Sequence, residues 1–120
     1  QLWVAGQIAV SKGSLIATGL VGDQVDLETA RRCAAQCALN LLAQVKAATG
    51  SLESIERVVK LNVFVASMPE FISQHLVANA ASELFGEVLG KVGIHARSAV
   101  GVACLPLNSP VEIDAVFEIR

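Results

Sequence analysis

The sequence predicts a two-layer α+β sandwich, a mixed β-sheet with two helices on one face, in the order β-β-α-β-α-β-β. Three observations carry this reading. Val111–Ile119 alternates, with Ile113, Ala115, Phe117 and Ile119 on one side and Glu112, Asp114 and Glu118 on the other, the period of a half-buried strand. Residues after Asp26 repeat apolar or small side chains at helical spacing as far as Gly50. Between that helix and a second one lies Arg57–Val65, dense in β-branched residues.

Taken in order, Leu2–Val10 reads as a strand interrupted by Gly6. A glycine there marks either a kink in the sheet or a close approach by a ligand or backbone. Ser11–Ser14 is a turn and Leu15–Thr18 a short returning strand. Asp26 is suited to cap the first helix, and Glu28 complements its positive end. Its inward stripe is Ala30, Cys33, Ala34, Cys37, Ala38, Leu41, Val45 and Ala48, narrow enough for close packing on a sheet. Gly50 ends it. A helical turn at Ser51–Ile55 precedes the strand Arg57–Val65, in which Val59, Leu61, Val63 and Val65 share a face. Pro69 fits the first position of a second helix, which runs through Phe71 to Leu89 and breaks at Gly90–Gly93.

The C-terminal segment reads as two strands, Arg97–Cys104 and Val111–Ile119, joined by Leu105–Pro110. In the first of them Arg97, Ala99, Gly101 and Ala103 share a face. Pairing of the two strands would set the Glu112 carboxylate beside the Arg97 guanidinium. Both helices are expected on one face of the sheet. The other face is left open with several apolar or small positions, the kind of surface that finds a partner.

Composition narrows the function classes. A chain of 120 residues is one domain, residues 1–120. With 53% apolar but only 4% aromatic residues, its core must be aliphatic. The net charge of −2, without a basic run, argues against nucleic acid as partner. No apolar run is long enough to span a membrane, and no secretory signal is visible. The three cysteines form no C-x-x-C and the two histidines stand apart, so no metal is expected; buried, reduced thiols in a cytoplasmic protein are.

Two side chains draw attention on their own chemistry. Arg97 offers a planar fork of donors that matches a carboxylate; it equally suits a structural ion pair with an acid such as Asp114. Glu112, flanked by apolar residues and preceded by Pro110, is expected to be partly buried and able to exchange protons near neutrality. The alternative is a solvated strand-face glutamate like Glu118. His95, a lone histidine, is assigned no chemistry.

The run ARSAVGVACLP followed by PVEIDA resembles the C-terminal signature of the RidA/YjgF family, the reactive-intermediate (imine) deaminases once labelled L-PSP endoribonucleases. AGQI at Ala5–Ile8, the helix after Asp26, KLNVFV at Lys60–Val65 and Asn79 extend the resemblance over the whole chain. It implies a homotrimer, the open sheet faces turned into a central barrel and the active sites in clefts between subunits, and a further strand or hairpin ahead of Gln1. It implies catalytic roles for Arg97 and Glu112, with Arg97, Gly6, Ser98, Ala99 and Asn79 lining the pocket, and no metal or organic cofactor. The substrate would be a 2-imino or enamino acid, the product a 2-oxo acid. Three departures stand out. Ala99 replaces a frequent family cysteine, Ala5 replaces a serine, and no tyrosine exists to fill a family pocket position. These losses keep a second reading in play, a trimeric binding protein or sensor for small carboxylates. An endoribonuclease is third. Chorismate-mutase-like trimers share the fold type, but one candidate arginine matches their dicarboxylate pockets poorly.

Overall fold

The computed structural model describes all residues, Gln1–Arg120. A four-stranded sheet is built from β1 (Leu2–Ile8), β4 (Ile55–Ala66), β5 (Ala96–Val102) and β6 (Val111–Ile119), in the spatial order β1-β6-β4-β5. β4 runs parallel to β5 and antiparallel to β6, and β6 is antiparallel to β1, so the sheet is mixed. Two helices, α1 (Leu27–Thr49) and α2 (Gln74–Leu89), pack on one face and on each other. The layering, two helices on one face of a mixed sheet, matches the sequence expectation, and the order differs only in having three strands rather than two ahead of α1. No helix is long and apolar enough to cross a membrane.

Helix α1 forms as its sequence dictates. Asp26 caps it, its carboxylate accepting the Thr29 amide at 2.8 Å, which with the hydroxyl of Thr29 holds the Asp26 pKa below the ordinary carboxylate value. Gly50 closes it in the left-handed conformation at φ 88°. The buried stripe runs from Ala30 to Val45, but Leu42 joins it and Ala48 is exposed. In the same core lie Leu61, Val63, Ile113 and Phe117, all fully buried; each such large side chain contributes roughly 1.5–3 kcal/mol.

Several expectations are corrected. β5 and β6 do not pair, because β4 lies between them. Leu105–Pro110 is a crossing rather than a hairpin; Leu107 and Asn108 adopt positive φ there, and Pro106–Asn108 forms a single 3₁₀ turn. Leu2–Val10 is not one strand: the chain bends at Ala9, and β2 (Val10–Ser11) pairs with β3 (Ser14–Leu15) in a separate ribbon. A bulge in β4 between Val58 and Lys60 brings Val58 rather than Val59 into the core. Pro69 sits in a turn closed by the Phe71 amide on the Met68 carbonyl, and α2 begins only at Gln74. Cys104 lies beyond β5 and is exposed, whereas Cys33 and Cys37 are buried.

The sheet face opposite the helices is uncovered. Trp3, Asn62, Val100, Asp114 and Val116 lie on it by the pleat of their strands. Trp3 is 75% exposed. Asn62 donates to Asp114 at 2.7 Å across the β4–β6 pair.

Candidate active site

Arg97 stands on the edge strand β5, opposite Leu61 in the parallel register. Its side chain leans toward α2. Nη1 donates to Asn79 Oδ1 at 2.9 Å and to Ser82 Oγ at 3.0 Å. Asn79 and Ser82 are three residues apart, hence on the same helix face. Nη2 reaches the His75 carbonyl only at 3.5 Å, the outer limit of a hydrogen bond. Arg97 makes no ion pair; those of the chain are Arg31–Glu83 and Arg57–Glu118. The structural alternative for Arg97, pairing with Asp114, is therefore not what the fold builds: Asp114 is bonded to Asn62 on the far face of the sheet. The guanidinium is half-buried and borders a recess of about 310 Å³ lined by Ser82, Gly86, Gly93, Ile94 and His95.

Glu112 stands elsewhere. On β6 it is opposite Phe64 of β4 and Ile8 of β1. Its neighbours Val111 and Ile113 point into the core, so Glu112 points to the open face, and it is half-buried. The β1–β6 register shifts between Val4 and Gln7, a bulge holding Ala5 and Gly6. A side chain at Gly6 would overlap the Glu112 carboxylate. Gly6 thus lies in a kink of the sheet, and what comes close to it is neither ligand nor backbone but the Glu112 side chain. The strand entry is fixed by Ser109, the one fully buried polar residue. Its hydroxyl donates to the Val111 carbonyl at 2.8 Å and accepts the Ala9 amide at 3.3 Å. From α1, Asn40 donates to the Ile8 and Val10 carbonyls, both at 3.0 Å.

The predicted residues therefore fall into two groups. Arg97, Ala99 and Asn79 belong to the helix side of β5. Gly6 and Glu112 belong to the open face near β1. Ser98, alternating with Arg97 and Ala99, also faces the open side, in one cross-strand row with Asn62 and Asp114. The expected meeting of Arg97 and Glu112 on paired strands does not occur within one chain. Sequence reasoning missed Ser82 and set His95 aside. A signal was present for Ser82, because it follows Asn79 by one helical turn.

The thiols of α1 are not reactive groups. Burial raises the Cys33 pKa to about 11, and burial with the nearby Cys33 and Glu112 raises that of Cys37 further.

A family model described as "Endoribonuclease L-PSP" matches residues 1–119. Protein TCP17 of Trypanosoma cruzi is 46% identical over 121 residues, covering 100% of this chain and 76% of that protein. Among solved structures, the protein Atu1372 of Agrobacterium tumefaciens, of unknown function, superposes with a TM-score of 0.97 at 57% identity, over 98% of this chain and 75% of its own. TdcF of E. coli with bound serine gives a TM-score of 0.66 at 26% identity, over 98% of this chain and 78% of its own. With the model matching nearly every residue and the fold shared, the chain belongs to the endoribonuclease L-PSP family, also called the RidA/YjgF family.

Proposed function

We propose that this protein is a cytoplasmic deaminase that hydrolyses reactive 2-imino and enamino acids to 2-oxo acids and ammonia, at sites completed by two copies of the chain within a homotrimer. The observation that carries the reading is the split of the site. A guanidinium held by Asn79 and Ser82 lies on one side of the sheet, and a carboxylate seated on Gly6 lies on the other. Each is half of a catalyst, and a neighbouring copy supplies the missing half if the open face of one chain meets the β5 edge of the next. The bound serine of TdcF supports a ligand that carries a carboxylate.

In this reading the substrate carboxylate binds the Arg97 fork. Glu112 of a neighbouring copy takes a proton from water as the oxygen adds to the imine carbon. That proton passes to the nitrogen, giving a carbon that bears both hydroxyl and amino groups; Glu112 then carries the hydroxyl proton to the nitrogen as the carbon–nitrogen bond breaks, so that ammonia leaves and the 2-oxo group forms. Atoms balance as imine plus water giving ketone plus ammonia, with no change of oxidation state. Free imines hydrolyse readily in water, so positioning and one proton carrier suffice for a useful acceleration.

One observation favours a second reading, a trimeric binding protein for small carboxylates. The Arg97 side is tied by hydrogen bonds, while the Glu112 carboxylate makes none with other side chains. A single assay separates the two. 2-Imino acids are generated in situ with an amino-acid oxidase and trapped competitively by semicarbazide. A deaminase lowers the yield of semicarbazone; a binding protein leaves it unchanged. Light scattering on the same preparation checks assembly, and a stable monomer would remove the shared site.

A further inference from the structure

The recess behind Arg97 contains a hydrogen-bonded chain that the proposed reaction does not use. His95 Nδ1 lies 2.6 Å from the Gly93 carbonyl, and His95 Nε2 lies 2.9 Å from Ser82 Oγ. A carbonyl only accepts, so Nδ1 carries the proton. In the neutral ring Nε2 then accepts, and the Ser82 hydroxyl donates to it. Arginine only donates, so the same Ser82 oxygen accepts from Arg97 Nη1. Every proton in the series Gly93–His95–Ser82–Arg97 thus has one place.

The ring is fixed from other directions as well. It meets Phe85 edge-on at 5.8 Å and 72°, and Phe85 is fully buried in the core. Gly93 brings its carbonyl close because it has no side chain: a Cβ there would stand 2.5 Å from the Phe85 carbonyl oxygen.

We propose that Ser82 and His95 are positioning residues for Arg97, fixing Nη1 so that the Nε–Nη2 edge is the one presented to a carboxylate. The count of donors supports this. Both Nη1 protons are engaged, by Asn79 and Ser82. Nη2 has only its long contact with the His75 carbonyl, and Nε has none. An arginine anchored on one nitrogen loses less rotational freedom when it binds, which is how preorganisation raises affinity. The ligand class rests on the reading of Arg97 as a carboxylate site; the relay itself does not.

The test uses the full chain and three variants: Ser82→Ala, His95→Phe and His95→Gln. Phenylalanine keeps the ring against Phe85 and removes the acceptor, whereas the glutamine carbonyl oxygen restores an acceptor for Ser82. In calorimetric titration with 2-oxobutanoate, Ser82→Ala and His95→Phe are expected to bind about fivefold more weakly, the equivalent of one hydrogen bond. His95→Gln should recover most of the loss. In the deaminase assay the same variants should raise KM and leave kcat near wild type. Equal affinity in wild type, Ser82→Ala and His95→Phe would overturn the proposal. Nitrogen-15 spectra of the ligand-free protein read the relay without any ligand. They should show His95 as the Nδ1–H tautomer, and slow rotation of the Arg97 guanidinium that is lost in Ser82→Ala. Should wild type fail to bind 2-oxobutanoate, these spectra still decide: an Nε2–H ring or a freely rotating guanidinium in wild type overturns the relay, and restricted rotation upholds it while the carboxylate reading falls.

Discussion

The side of the molecule that carries Arg97 and the side that carries Glu112 are built by different means. Arg97 is held by other side chains, Asn79 and Ser82 from one face of α2, with His95 behind them. Glu112 is placed by backbone: a bulge in β1, a glycine without a side chain to obstruct it, and Ser109 fixing the entry to β6. In the proposed reaction the difference suits two tasks. A binding fork needs a fixed direction, which side-chain hydrogen bonds give. A proton carrier needs access to water and room to move, which an open face beside a glycine gives.

That contrast makes the two sides separable by substitution. Glu112→Gln keeps size and hydrogen bonding but cannot take a proton. Turnover of imino acid should fall by about 10²–10⁴, while affinity for 2-oxobutanoate stays level or improves slightly as a negative charge is removed. Retained turnover would exclude Glu112 as proton carrier. Arg97→Lys keeps the charge and loses the fork. Here binding should weaken by more than about tenfold, the value of a charge-assisted hydrogen bond, with assembly intact; unchanged affinity would make Arg97 structural only.

Gly6→Ala probes the backbone-built side alone. The new methyl displaces the end of a flexible glutamate rather than a packed group, so the thermal midpoint should hardly move. Turnover should drop by less than in Glu112→Gln, and affinity for 2-oxobutanoate should hold. A large loss of stability would mean that Gly6 serves the bulge and not the carboxylate.

The smallest effect concerns the α1 thiols beneath these strands. Cys33 and Cys37 keep their protons in the folded chain to higher pH than in the unfolded one. The unfolded state therefore binds fewer protons above its thiol pKa, near 9.0, and stability should decline from there toward about 11, the folded value for Cys33. At neutral pH a thiol reagent should label Cys104 alone. Labelling of Cys33 in the native state would contradict the packing described here.

Much of the fold was legible because local chemistry sets it. Asp26 and Gly50 bound α1 as capping rules require, and the alternation in β6 correctly divided core from open face. Strand neighbours were not legible. Period-2 patterning says which side chains share a face, and nothing about which strand lies alongside, so β4 between β5 and β6 was invisible. The bulge that exchanged Val59 for Val58 is a register event with no local signature. Of the candidate site, the resemblance named Arg97, Asn79, Gly6 and Glu112, and the fold gives each a specific placement. Their division between two sides of the sheet follows from topology alone. His95 was passed over because its meaning depends on Ser82, thirteen residues away along the chain.

The central claim is that one chain holds two halves of different sites. Mixed oligomers test it most directly. Arg97→Lys and Glu112→Gln chains, assayed alone to set the residual activity of each, are co-expressed in equal amounts with different tags, and the mixed assemblies are purified through both. If Arg97 of one copy works with Glu112 of another, each mixed trimer, whichever chain is in excess, rebuilds about one site in three, and deaminase activity should return to roughly that fraction of wild type. Mixed assemblies no more active than their parents would contradict the account, because they would place both residues of each site on the same chain.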